Sequence, residues 1–436
     1  MKKIYFLLAI TVLFYSSCKK SDPGETQFFN ETGNLSADVA QQWYKLELQL
    51  IKNGKGFPPP VAARAIAYTG VALYESVLPG MPGHSSLSGK LNGLSVNTKA
   101  NVSNEYNWTL AANASMAFVV RNLFDNASTA QKFSIDSLES TIKASVSSSL
   151  NSEVIKRSSE FGRSIGSEIF EWSKTDGGHQ AYLNLFSDYS APSGDGFWEP
   201  TAPGFSKALL PNWGNNRMMV AVNSAMVIPP PPVYCTDTSS VVYKQAFDVY
   251  TKSQNLTSEE KDIAKFWADG SGTLTPPGHN IAIALQLISQ KGFKLDKAAV
   301  ILAQGGIALN EAAIICWMCK FKYNYLRPVS YIRKNIDPNW SSFIVTPPFP
   351  AYTSGHSTFS GSMAEILTAN FGDNAPFTDE VNRDYGFGVR SFGSFYQAAE
   401  EAAISRFYGG IHYEFDNKEG MICGKQIGKN VLSLKW

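Results

Sequence analysis

Apolar residues that recur every three or four positions leave a chain little choice but helix, and here the pattern runs almost from end to end. Segments 36–52, 61–78, 107–124, 130–150 and 152–174 carry it in the first half. The second half continues it at 240–253, 257–270, 278–292, 297–323, a small-residue run opening at Ser354, 394–409, and a last segment from about His412. Alternating strand patterns are scarce, so the expected fold class is all-α, as two helical bundles packed on each other. Between the halves lies 176–232, rich in Gly, Pro and aromatic residues and ending in IPPPP. Its Trp198, Phe205 and Trp213 are too apolar for a free linker, which predicts a long crossover laid on the helices with the three rings buried. The boundaries that follow are an N-terminal helical half with its crossover at 36–235 and a C-terminal half at 236–436.

The first residues read differently. Lys2 and Lys3 precede IYFLLAITVLFY, an apolar run of twelve, whereas a bilayer span needs ~20 residues. Small residues then lead into Cys18, which is the pattern of an export signal at 1–17 with a lipid-attached cysteine behind it. The polar stretch 18–35 suits a tether. The expected location is therefore outside the cytoplasm, periplasmic or on the cell surface, with the membrane reached only through a lipid on Cys18 of a monomeric chain. A composition of 44% hydrophobic and 17% charged residues with net charge +1 gives no global footprint for nucleic acid. Cys316 and Cys319 form a CxxC without a second pair or a nearby His, so the sequence predicts no structural zinc there. The export signal permits a disulfide among Cys235, Cys316, Cys319 and Cys423, and small buried residues are an equal reading.

The chemistry gathers in the second half. The stretch PPFPAYTSGHSTFSG ends in a helix start, where backbone N–H groups without intrahelical partners make an anion site, and it places Ser354, Gly355 and His356 together there. Lys320 ends a long apolar helix, Arg327 follows seven residues on and precedes Pro328, and Arg406 ends another helix before Gly409 and Gly410. His412 and Asp416 stand four apart, so on a helix the carboxylate could fix the imidazole tautomer. Singly, each is an ordinary helix-end charge or surface pair. Together, two guanidinium groups, an ammonium, a hydroxyl and helix-start N–H groups complement a tetrahedral or trigonal-bipyramidal oxyanion, with two histidines to act as ligand and as acid or base.

Three blocks carry a resemblance: K-FKYNYL-RP from Lys320, TSGH from Thr353, and SR-FYGGI-H-YEF-D from Ser405. They resemble, in order, the signature shared by vanadium-dependent haloperoxidases and related acid phosphatases, with Thr353 where that family usually has proline. Trp317, Phe349 and the earlier FWADG and FWEPTAPGF stretches resemble the peroxidase branch, bacterial iodoperoxidases above all. The resemblance implies a vanadate cofactor whose vanadium is bound by His412. Lys320, Arg327, Ser354, Gly355 and Arg406 would hold its oxygens, and His356 would act as acid and base beside its apical oxygen. It implies that Lys320 polarises the O–O bond of the oxidant, that Trp317 and Phe349 line the halide side, and that Asp416 and Asp269 support from behind, Asp269 by pairing with the anion-binding arginine. The implied reaction takes hydrogen peroxide and a halide, iodide first and bromide second, to a hypohalous acid equivalent that halogenates small organic acceptors. The alternative is a phosphomonoesterase working through a phosphohistidine at His412. His84 and His179 are expected in solvent, and His279 in a structural part near the site.

Overall fold

The computed structural model describes residues 31–436 apart from residue 102. The predicted export signal at 1–17, Cys18 and the tether up to residue 30 lie outside the described residues; the rest of the predicted tether, 31–35, is no free linker, since Thr32 is buried with its hydroxyl donating to the Gly80 carbonyl at 2.9 Å and the Leu35 carbonyl accepts from Leu295 N–H at 3.0 Å. Helix dominates as expected, with thirteen α-helices and one two-stranded hairpin among the described residues. The first five are α1 (Asp38–Asn53), α2 (Pro59–Val77), α3 (Trp108–Leu123), α4 (Thr129–Ser147) and α5 (Ser152–Ser173). Polar caps start several of them: Asn107 accepts from Leu110 N–H at α3, and Ser128 and Gln131 cap each other's backbone at α4. After the crossover come α6 (Val241–Gln254), α7 (Ser258–Phe266), α8 (Thr275–Gln290), α9 (Leu295–Tyr323) and α10 (Pro328–Asn335). Next are α11 (Gly355–Phe371), the hairpin of β1 (Phe377–Asp379) with β2 (Arg390–Phe392), α12 (Phe395–Tyr408) and α13 (Glu414–Leu432).

Two boundaries differ from the sequence reading for reasons of proline. α8 opens at Thr275, taking Pro276 and Pro277 into its first turn, where their missing N–H groups cost no hydrogen bond. α10, which periodicity did not reveal, likewise opens on Pro328, directly after Arg327.

The 29 residues of α9 form the axis of the molecule. One side lies along α2, and the others meet α11, α13 and α8. By length and apolarity α9 could cross a membrane, but its apolar window is entirely buried inside the protein. A single hydrophobic cluster runs from α1 to α13, so the core is continuous across the boundary drawn at residue 235. The crossover lies on this body: Trp198 and Trp213 are buried, and the Glu311 carboxylate of α9 accepts from Met219 N–H at 2.7 Å and Asn223 Nδ2 at 2.8 Å. Phe205 departs from expectation at 67% exposed. It stands in a turn closed by its own N–H to the Thr201 carbonyl at 3.0 Å.

Candidate active site

The elements named by the sequence motifs converge on one cavity of about 480 Å³, whose lining includes Trp317, Phe349, Gly355, His356, Arg406 and His412. A second cavity of about 590 Å³ adjoins it, sharing Arg406, Pro347 and Pro348 and walled by the 201–206 turn.

His412 is buried at the base. It precedes α13 rather than lying on it, so the contact with Asp416 is made by a first-turn carboxylate reaching back: His412 Nδ1–H donates to Asp416 Oδ2 at 2.8 Å, and Tyr413 N–H donates to the same oxygen at 3.2 Å. A carboxylate can only accept here, which leaves the lone pair on His412 Nε2, where Arg327 Nη1 donates at 3.2 Å. Burial, with Arg327, Lys320 and Arg406 nearby, holds the imidazole well below its ordinary pKa and hence neutral.

Three buried cations surround that nitrogen: Lys320, Arg327 and Arg406. Among the described residues none of them forms an ion pair with a carboxylate. Arg327 is oriented by the carbonyls of Phe349 and Ile411, both at 2.8 Å, and its Nη2 has no partner. Arg406 donates from Nη1 to the Trp267 carbonyl at 2.7 Å, and its Nε has none. Burial drives both guanidinium groups below their ordinary pKa, the signature of cations short of a counter-charge. Lys320 departs from its expected part. Its Nζ donates to the carbonyls of Pro350, Ala351 and Thr353 at 3.0, 2.9 and 2.6 Å, so all three hydrogens of the ammonium are committed to the turn that carries Ser354. Burial pushes its pKa down to about 8.

Ser354 is the N-cap of α11, yet its hydroxyl caps nothing and is buried without a partner. Its backbone N–H donates to the Asp416 carbonyl at 3.0 Å, which ties this helix start to that of α13. Thr353, in the place of the family's proline, keeps the turn: its hydroxyl donates to Cys316 Sγ at 3.7 Å, and its carbonyl accepts from Cys316 at 3.4 Å. The four described cysteines are all free thiols. Trp317 Nε1 donates to the Leu209 carbonyl at 3.2 Å, and its ring meets Phe349 with centroids 4.9 Å apart. Lys320 Nζ and Arg327 Cζ each lie 5.1 Å from the Phe349 centroid.

His356 reaches the cavity with Nε2 unpartnered. Burial, Arg406 and His279 lower its pKa well below the ordinary value, against a hydrogen bond to the Trp267 carbonyl. Asp269 acts on Arg406 by its charge, as the expected pairing requires, but makes no direct ion-pair contact with it. Its carboxylate is taken by His279 Nδ1 at 3.0 Å, and its Oδ2 lies 3.9 Å from His356 Nε2. His279 is fully buried and gives its other nitrogen to Asp379 Oδ2 at 2.9 Å, a partner that sequence reading did not find. His84 is exposed, while His179 is half-buried against Phe170.

The donor set suits an oxyanion. Among the described residues no group of three or more His, Cys, Asp or Glu gathers to hold a bare cation. What the site offers instead is the His412 lone pair with Arg327 upon it, and three buried donors without a protein partner, Arg327 Nη2, Arg406 Nε and Ser354 Oγ; of these residues His412 and Arg406 line the cavity itself.

The family described as VCPO second helical-bundle domain matches residues 300–435. Among curated proteins, the vanadium chloroperoxidase of Curvularia inaequalis is 27% identical over 24% of this chain and 25% of its own length. The vanadium-dependent bromoperoxidase of Corallina officinalis is 31% identical over 22% of this chain and 18% of its own. The matched stretches thus span a quarter or less of those two proteins. Among solved structures, one described as the first bacterial vanadium-dependent iodoperoxidase superimposes with TM-score 0.85 at 31% identity, covering 92% of this chain and 97% of that one. A bacterial vanadium-dependent chloroperoxidase in its holo form shares the fold, with TM-score 0.65 at 17% identity over 86% of this chain and 92% of that one.

Proposed function

Since the chain belongs to the vanadium-dependent haloperoxidases, we propose that it oxidises iodide with hydrogen peroxide at a vanadate held in this cavity. The observation that carries the reading is the neutral His412 Nε2 facing buried cations whose remaining donors have no protein partner. In this reading His412 Nε2 binds vanadium, while Arg327, Arg406, the Ser354 hydroxyl and the Gly355 N–H hold the oxygens. Bound vanadate supplies a vanadium(V) Lewis acid that activates peroxide without a change of oxidation state.

The chain's own residues do the rest. His356, neutral and open at Nε2, takes a proton from incoming hydrogen peroxide and returns it to the water that leaves. Asp416 keeps the His412 proton on Nδ1, so that Nε2 stays a base. Lys320 shapes the Ser354 turn and adds positive potential at the cavity floor, without a free N–H. Trp317 and Phe349 form an aromatic wall beside two cations, which suits a large polarisable anion approaching with little water. That wall, and the resemblance to a protein described as an iodoperoxidase, support iodide ahead of bromide.

The test is steady-state triiodide formation by protein with and without added vanadate, repeated with bromide and with a phosphate monoester, alongside His412→Ala. Turnover of iodide that requires vanadate and vanishes in H412A is the expected result. Phosphate-ester hydrolysis without halide turnover would overturn the reading in favour of the phosphatase.

A further inference from the structure

Behind the cavity lies a buried row of side chains from four parts of the chain: Asp379 on β1, His279 on α8, Asp269 on the loop after α7, and His356 on α11. His279 bonds one carboxylate with each ring nitrogen, at 2.9 Å to Asp379 and 3.0 Å to Asp269, and its ring stacks on Trp267 with centroids 4.8 Å apart. The loop it grips is held in costly backbone: Asp269 at φ 43° and the β-branched Thr275 at φ 66° both stand in the left-handed region.

We propose that His279 is a positioning residue for the acid–base histidine: clamped between Asp269 and Asp379, it fixes the Asp269 carboxylate at the cavity wall, 3.9 Å from His356 Nε2. The proposal rests on the proton-transfer part given to His356 above. Of the charged groups around the row, Asp269 and Asp379 face His279, Arg406 faces Asp269, and Arg406, His279 and Lys320 act on His356, whose Nε2 has Asp269 Oδ2 at 3.9 Å. Burial would neutralise His279, but the two carboxylates outweigh it and hold the pKa up at about 10, so the ring is a cation at neutral pH. Asp269, both of whose oxygens meet His279 Nδ1, is thereby held beyond hydrogen-bond distance from His356, which stays neutral and able to accept a proton. Loss of the clamp frees Asp269 to pair with His356 and removes a neighbouring cation; both changes raise the His356 pKa.

The experiment follows ring-labelled histidine by NMR in the vanadate-free protein, whose five histidines are few enough to assign with His356→Gln. Wild type, His279→Gln and Asp379→Asn are compared. The expected result is a wild-type His279 protonated on both nitrogens above pH 8, and a His356 titration displaced upward by about one pH unit in both variants. In the vanadate-loaded enzyme the acid limb of kcat/KM for peroxide moves by the same interval, while KM for iodide holds within about twofold. A His279 that titrates near ~6.5, or a His356 titration unmoved in both variants while thermal stability falls, reduces His279 to a structural pair and overturns the proposal. If H279Q does not fold, D379N decides, since it keeps the volume and an acceptor. If wild type shows no vanadate-dependent iodide turnover yet the NMR displacement appears, the functional reading fails and the clamp stands.

Discussion

In the proposed reading Gly355 is a residue that the site needs and the packing does not. A Cβ there would meet nothing nearer than Phe359 Cε2 at 3.7 Å and Cys316 Sγ at 4.0 Å, so the protein's packing does not demand glycine. Gly355→Ala should change unfolding free energy by no more than ~0.5 kcal/mol yet weaken vanadate binding at least about tenfold, as thermal melts and vanadium NMR titration would show. His279 gives the opposite case. Its pKa is raised by folding, so its contribution is complete below the unfolded value of ~6.5 and disappears as pH climbs through about 10. The stability gap between wild type and H279Q should be about 3 kcal/mol at pH 6 and shrink steadily toward pH 10 in urea titrations; a constant gap would mean that the ring is neutral when folded. Spacing in the sequence set Lys320 beside Arg327 and Arg406 beside His412 and Asp416, because helix ends and tight turns convert short separations into proximity; joining the two blocks took the family resemblance. Spacing could not show where the Lys320 ammonium points, since that depends on the return path of 350–353. Nor could it join His279 to Asp379, a hundred residues away on a strand of three.

Among the elements, α11 and α13 hold the two halves of the site together. α13 places Gly420, Gly424 and Gly428 on one face four residues apart, and a Cβ at Gly424 would stand 2.3 Å from the Thr358 carbonyl oxygen of α11. That closeness brings the start of α13 within reach of Ser354, whose N–H takes the Asp416 carbonyl. Gly424→Ala should therefore cost about 2–3 kcal/mol, and chemical denaturation together with a vanadate titration should find both stability and affinity reduced. Unchanged affinity in a destabilised variant would show that the two helix starts hold their places independently. The glycine spacing was on the page of the sequence, but periodicity registers apolar bulk and passes over its absence. The long helices were read nearly to their ends because their periodic patterns repeat many times. α10 and the hairpin, with eight and three residues, repeat too seldom to register.

For the molecule as a whole, the two-bundle expectation captured the fold and missed how much the bundles share. α9 carries Lys320 and Trp317 at its end, yet one entire side of it is covered by α2 from the other half. A chain beginning at residue 236 exposes that side and should aggregate or stay partly unfolded by circular dichroism and light scattering, whereas the full chain should melt in one transition. The crossover, unreadable from periodicity because it has none, closes the cavity roof: Leu209 N–H donates to the Pro348 carbonyl at 2.9 Å, and Gly214 packs against Met318 of α9. Within it Phe205 is the most exposed phenylalanine, ahead of Phe186 and Phe197, with anchored chain on both sides. Brief chymotrypsin treatment should cut there and leave two fragments that elute together and separate only in denaturant. In the language of assembly, the protein is then a heterodimer whose two subunits are made in fixed one-to-one ratio, with Phe205 marking a peptide stretch that the partnership could spare.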